Sequence, residues 1–170
     1  MFRSIVIASF SAIACCVSNC AAEEASLRLV GREGKAISLT ASDLKALPRT
    51  EIDVKERDGT TAKVAGVEVL HLLEKVDTAQ GDQLRGDWLR AFVTVDAADG
   101  YRAVFALPEF DPAYTDQKII LVDSRNGEPL NEKQGPFQIV IPDEKRRSRW
   151  VRMVAEIRVH DSGAPSSAAK

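Results

Sequence analysis

An α+β domain built on mixed β-sheets, partly closed into a barrel and carrying a few short helices, is the fold class this sequence predicts. Three observations carry that expectation. Short runs of alternating apolar and polar residues recur along the chain. Three tight-turn dipeptides, Asp58-Gly59, Asp99-Gly100 and Asn126-Gly127, separate such runs. Helical spacing of apolar residues appears only in brief stretches.

In chain order, Leu27 to Val30 and Ala36 to Leu39 alternate around the glycines of Gly31 to Gly34, a hairpin signal. Thr40 reads as an N-cap with Asp43 three residues on, Leu44 and Leu47 facing inward and Pro48 ending a short helix. Thr50 to Glu56 alternates, turns at Asp58-Gly59 and returns from Thr60 to Val64. From Gly66 to Val76 the spacing becomes helical, with Val69, Leu72, Leu73 and Val76 as the core stripe. Arg90 to Val95 and Tyr101 to Phe105 form the next hairpin. Leu107 to Phe110 starts a short helix, and Ile119 to Val122 is a fully apolar strand. Phe137 to Ile141 and Val154 to Val159 complete the set.

The ends read differently. Met1-Phe2-Arg3, an apolar run from Ile5 to Val17, and small residues at Cys20-Ala21-Ala22 predict a leader over residues 1–22, cleaved after Ala22. The run is short and meets Glu23-Glu24 at once, so no stable membrane span is expected. Export to a bacterial periplasm is the expectation. The lipoprotein alternative needs Cys15 as its lipidated residue, and Ala12 is not the large apolar residue that usually stands three positions earlier. All three cysteines (Cys15, Cys16 and Cys20) fall within the leader, so the mature domain, residues 23–161, is expected to have neither disulfides nor thiolate ligands. Residues 162–170, rich in Ala and Ser, are expected to be a disordered tail. With 23 basic and 25 acidic residues the net charge is −2, which gives no electrostatic reason for a nucleic-acid partner.

Against that balance, the concentration of Lys145, Arg146, Arg147, Arg149 and Arg152 beyond the strand at Phe137 to Ile141 is local. Guanidinium groups grip phosphate or carboxylate bidentately, so an anion site is one reading. A solvated basic turn balanced by Asp143 and Glu144 is the other. His71 reads as helix-packed or exposed and His160 as exposed; two isolated histidines do not make a metal site. Asp96, Asp99, Glu109 and Asp111 are explained by turn chemistry. Tyr101 and Arg102 read as a hairpin pair, Trp150 as a core anchor, Trp88 as a cavity wall or edge residue, and Glu56 with Arg57 as a solvent-facing edge pair.

Several segments share an order and spacing with a known family. They are Leu47-Pro-Arg-Thr-Glu-Ile52, Val64-Ala-Gly-Val-Glu-Val-Leu-His-Leu-Leu-Glu74, Val95-Asp-Ala-Ala-Asp-Gly-Tyr-Arg102 and Leu107-Pro-Glu-Phe-Asp-Pro112. Further on come Ile120-Leu-Val-Asp123, Asn126-Gly-Glu-Pro-Leu130, Gly135-Pro-Phe137, Val140-Ile-Pro-Asp143 and Arg149-Trp-Val-Arg152. From roughly Leu44 to Val159 the chain resembles the oxidoreductase molybdopterin-binding domain of the sulfite oxidase type. The resemblance implies that domain's α+β fold and a molybdopterin cofactor held through its phosphate. It implies cofactor contacts at Arg147, Ser148 and Arg149, with Lys145 and Arg146 nearby. Catalytic members of that family ligate molybdenum through a cysteine, and its position falls near Glu56 or Arg57 here. A soft thiolate suits that metal, and neither a carboxylate nor a guanidinium replaces it. Three functions follow as expectations: a periplasmic module binding an anionic or pterin-type ligand without cysteine-ligated catalysis, a molybdenum-cofactor-dependent oxidoreductase, or a non-catalytic scaffold. The oxidoreductase reading implies a periplasmic redox protein as partner.

Overall fold

The computed structural model describes residues 25–56, 58–142 and 144–163. The leader expected over residues 1–22 and residues 164–170 of the expected tail lie outside the described residues. Among the described residues, ten strands make two sheets. The first has the order β2-β1-β10-β5-β6, from β1 (Ser26–Val30), β2 (Ala36–Thr40), β5 (Phe92–Ala97), β6 (Arg102–Ala106) and β10 (Val154–His160). Its first and last strands in sequence, β1 and β10, run parallel, and every other pairing is antiparallel. The second sheet has the order β3-β4-β7-β8, from β3 (Thr50–Lys55), β4 (Thr61–Glu68), β7 (Ile120–Arg125) and β8 (Glu128–Pro129). A further strand, β9 (Gln138–Val140), pairs with β7.

The α+β class with mixed sheets and few helices is thus present. The partly barrel-like expectation is corrected: both sheets stay open among the described residues. The strand order ends at β2 and β6 in one sheet and at β3 and β8 in the other. Closure needs those outer strands to pair with each other, and alternation within a strand carries no information about which strands end up outermost.

Alternation decides the inside of each sheet. Leu27, Leu29, Val93, Val95 and Ile157 are buried, while Arg28, Glu156 and Arg158 between them face outward. In β7, Ile120, Leu121 and Val122 are buried in succession; because successive side chains point to opposite faces, this strand is covered on both. Each fully buried Leu, Ile or Phe contributes roughly 1.5–3 kcal/mol.

The first helix, α1 (Ala41–Lys45), has the expected capping box. The Thr40 hydroxyl accepts from the Asp43 N–H, and the Asp43 carboxylate accepts from the Thr40 N–H at 2.8 Å. The second, α2 (Val69–Glu74), is shorter than its spacing predicts, because β4 continues through Gly66 to Glu68 before the helix starts. Pairing of Gly66 and Val67 with Val122 and Leu121 overrides the local pattern there. The core stripe Val69, Leu72, Leu73 and Val76 is buried as expected. Leu107–Phe110 forms a 3-10 turn, as do Gly81–Gln83, Gly86–Arg90 and Arg147–Arg149. Among the described residues no helix is long and apolar enough to cross a membrane.

Candidate functional site

An open cleft of about 710 Å³ lies where chain from both sheets converges. The second sheet supplies Glu56 just beyond β3, Asp58 in the β3–β4 turn, Arg125 at the end of β7 and Gln138 at the start of β9. The first sheet supplies Asp99 and Tyr101 from the β5–β6 turn. The segment before β10 closes the site with Arg147, Ser148, Trp150 and Arg152.

Glu56 sits between two guanidiniums. Its Oε1 accepts from Arg125 Nη1, and its Oε2 accepts from Arg147 Nη1 at 3.2 Å. Arg147 also lies over the indole of Trp150, 4.5 Å from the ring centroid, a cation–π contact. Trp150 is itself buried and donates its Nε1–H to the Ile141 carbonyl at 3.1 Å. The 3-10 turn thereby presents Arg147 from a rigid base. Arg125 reaches Gln138 Oε1 at 3.5 Å, and its buried Nε has no partner. Arg152 is exposed, and among the described residues none pairs with it. At the rim, the Thr60 hydroxyl and then the Thr60 N–H hold the Asp58 carboxyl below its ordinary pKa, and Arg147 adds to the effect.

Three hydrogen bonds hold the walls together. The Tyr101 hydroxyl donates to the Ser148 carbonyl at 2.6 Å, tying the β5–β6 turn to the 147–149 turn. Met153 N–H donates to the Gln134 carbonyl at 3.0 Å, and the Met153 carbonyl accepts from Ala98 N–H at 2.9 Å. Met153 does this with φ of 50°, a left-handed conformation uncommon for a residue other than glycine. That backbone reversal lies directly after Arg152.

The five basic-segment residues are divided by the fold. Arg147 and Ser148 line the cleft, whereas Lys145 and Arg146 are exposed outside it. Arg149 points elsewhere. Its Nε donates to Glu144 Oε1 at 2.6 Å and its Nη1 to Glu109 Oε2 at 2.7 Å, with the guanidinium 4.9 Å from the Phe105 ring centroid. Burial opposes its charge, but the hydrogen bonds to Glu109 and Glu144 outweigh that and raise its pKa above the ordinary value. The same Glu109 accepts from the Ala106 N–H through Oε1, so Arg149 staples the 147–149 turn to the start of the 107–110 turn. Alternating positions of one tight turn cannot all face one cleft, and 147 and 149 diverge.

Glu56, Arg125 and Gln138 are among the cleft residues that escaped sequence reasoning. Glu56 is half-buried in the site instead of facing solvent as an edge residue; its expected companion Arg57 lies outside the described residues. Arg125 and Gln138 are polar interruptions at the ends of apolar strands, and that break in pattern is the signal available for them.

The cofactor implied by the resemblance needs a soft metal ligand and a cradle for its phosphate. The cradle has candidates in Arg147, Arg152 and Ser148. The metal end does not fit. Glu56 stands near the thiolate position with both carboxylate oxygens occupied by arginines, no cysteine occurs after Cys20, and among the described residues no cluster of metal-binding side chains converges.

No family model matches the sequence, and no curated protein does. Among solved structures, the chain is similar to the crystal structure of the sulfane dehydrogenase SoxCD from Paracoccus pantotrophus, with a TM-score of 0.60 and 19% identity. The match covers 81% of this chain and 38% of that one, so this chain spans well under half of SoxCD's length. At that identity the likeness speaks for architecture alone: the chain shares an α+β fold with mixed sheets with part of that structure.

Proposed function

We propose that the chain is an exported, periplasmic binding module that takes a small anionic ligand (a phosphate- or carboxylate-bearing molecule, or a pterin that carries a phosphate) without thiolate-ligated molybdenum catalysis. One observation carries this reading. Arg125, Arg147 and Arg152 converge on a single polar cleft in a protein whose charge is nearly balanced. Forked donors suit oxyanions, and Tyr101, Gln134 and Gln138 at the same cleft offer further polar contacts to such a ligand.

The fold likeness to SoxCD favours a second reading, a molybdenum-dependent oxidoreductase. One preparation tests both. The chain from Glu23 onward is produced in a host that makes the molybdenum cofactor. Molybdenum is then measured by mass spectrometry, and pterin by the fluorescence of its oxidised form. The binding-module reading expects no stoichiometric molybdenum and a saturable, phosphate-competed uptake of pterin or another anion. Near-stoichiometric molybdenum would establish the oxidoreductase instead. No anion uptake at all would leave the scaffold reading.

A further inference from the structure

We infer that Glu56 is a built-in competitor for the anion site: its carboxylate occupies the place of a ligand oxyanion between Arg125 and Arg147, and a phosphate or carboxylate group engages both guanidiniums only by displacing it. This rests on the anion-binding reading of the cleft.

The geometry separates what moves from what stays. The Glu56 backbone is pinned in the β3–β4 turn, where its N–H donates to the Thr60 carbonyl at 2.6 Å and its carbonyl accepts from Gly59 N–H at 3.1 Å. Its side chain is only partly buried, at 27% exposure, so it can rotate into solvent without unfolding the turn. Both arginines keep other anchors once it leaves. Arg147 stays on the Trp150 ring and Arg125 stays beside Gln138. The vacated position is therefore preorganised for another oxyanion, which lowers the ordering cost of binding.

Charge supports the same conclusion. With Glu56 in place, three carboxylates (Glu56, Asp58 and Asp99) face three guanidiniums across the cleft. Displacing Glu56 leaves Arg125 and Arg147 without their shared counter-ion, and among the described residues none pairs with Arg152. An incoming anion restores the balance. The cleft thus selects a ligand whose oxyanion outcompetes a tethered carboxylate, which favours a doubly charged phosphate over a lone carboxylate.

Titration calorimetry with inorganic phosphate in chloride buffer tests this on the protein and four variants. Glu56→Gln is expected to bind phosphate at least about tenfold more tightly, equivalent to 1.4 kcal/mol. Glu56→Asp, whose charge sits one methylene further back, is expected to gain less, and it serves should the glutamine variant fold poorly. Asp58→Asn removes a charge from the same cleft without releasing either guanidinium, and its gain should be the smaller Coulombic one. Arg147→Ala should weaken phosphate binding. Equal or weaker binding by Glu56→Gln overturns the inference, as does an equal gain from Asp58→Asn. If Arg147→Ala weakens binding but Glu56→Gln brings no gain, the competitor falls while the anion-binding reading stands. If the unaltered protein and every variant fail to bind phosphate, both fall.

Discussion

Two arginines two residues apart illustrate how little a charge run says about its members. Arg147 and Arg149 are interchangeable in the sequence, yet one lines the cleft and the other joins Glu144 and Glu109 over the Phe105 ring. Arg147→Ala should lower the affinity for a phosphate-bearing ligand by about 1.5–3 kcal/mol, the range for hydrogen bonds to charged groups, with little change in melting temperature. Arg149→Ala should do the reverse. It deprives Glu109 of an ion-pair partner and leaves Glu144, already carrying one buried unpaired oxygen, without its cation. A loss of about 1–3 kcal/mol in urea unfolding is expected, with ligand affinity unchanged. Reversed results, with Arg149→Ala hitting affinity, would mean that the turn reorients on binding. The basic segment was legible as an anion-site candidate because its residues are neighbours in sequence. Glu56 was not, because it meets Arg125 from 69 positions away and Arg147 from 91.

At the scale of elements, local chemistry was readable and pairing was not. The Thr40–Asp43 capping box and the Asp58-Gly59, Asp99-Gly100 and Asn126-Gly127 turns each involve a handful of consecutive residues, and all are present; the glycines have φ between 83° and 87°. By contrast, nothing in the spacing of Leu27 to Val30 announces that it lies parallel to the last strand, with Leu29 opposite Ile157. The extension of β4 has a similar origin. Gly66 opens what looks like a helix, but the strand needs it as a close-approach point. A Cβ there would stand 2.0 Å from the Leu121 carbonyl oxygen, at the irregularity between Ala65 and Gly66. Gly66→Ala should therefore separate β4 from β7 and cost about 3 kcal/mol or more, seen as a large drop in melting temperature or as insoluble protein. A variant with native stability would show that the two strands slide apart without loss, contrary to a register in which Gly66 lies opposite Val122.

For the molecule as a whole, the outward face of the first sheet sets a dependence of stability on pH. His160 stacks on Phe92 with ring centroids 4.8 Å apart and shares a 2.9 Å hydrogen bond with the buried Thr94 hydroxyl. Burial pushes its pKa below 6.5, with Arg158 and Arg102 adding to the effect and Asp96 and Glu156 opposing it. A histidine whose folded pKa is depressed binds its proton more readily in the unfolded chain. Its contribution is complete above the unfolded pKa of about 6.5 and is lost as pH falls from there toward the folded value. One proton limits the slope to about 1.4 kcal/mol per pH unit. The carboxyls held low by their partners (Glu68, Glu156, Asp43 and Asp161 among them) act in the same direction but in a separate window, below the unfolded carboxylate range near pH 4. Urea unfolding in steps from about pH 7.5 to about 3 should thus show stability declining below about pH 6.5, and His160→Gln should flatten that decline while leaving the separate acid limb below about pH 4 in place. An unchanged slope in the variant would overturn the assignment of that decline to His160.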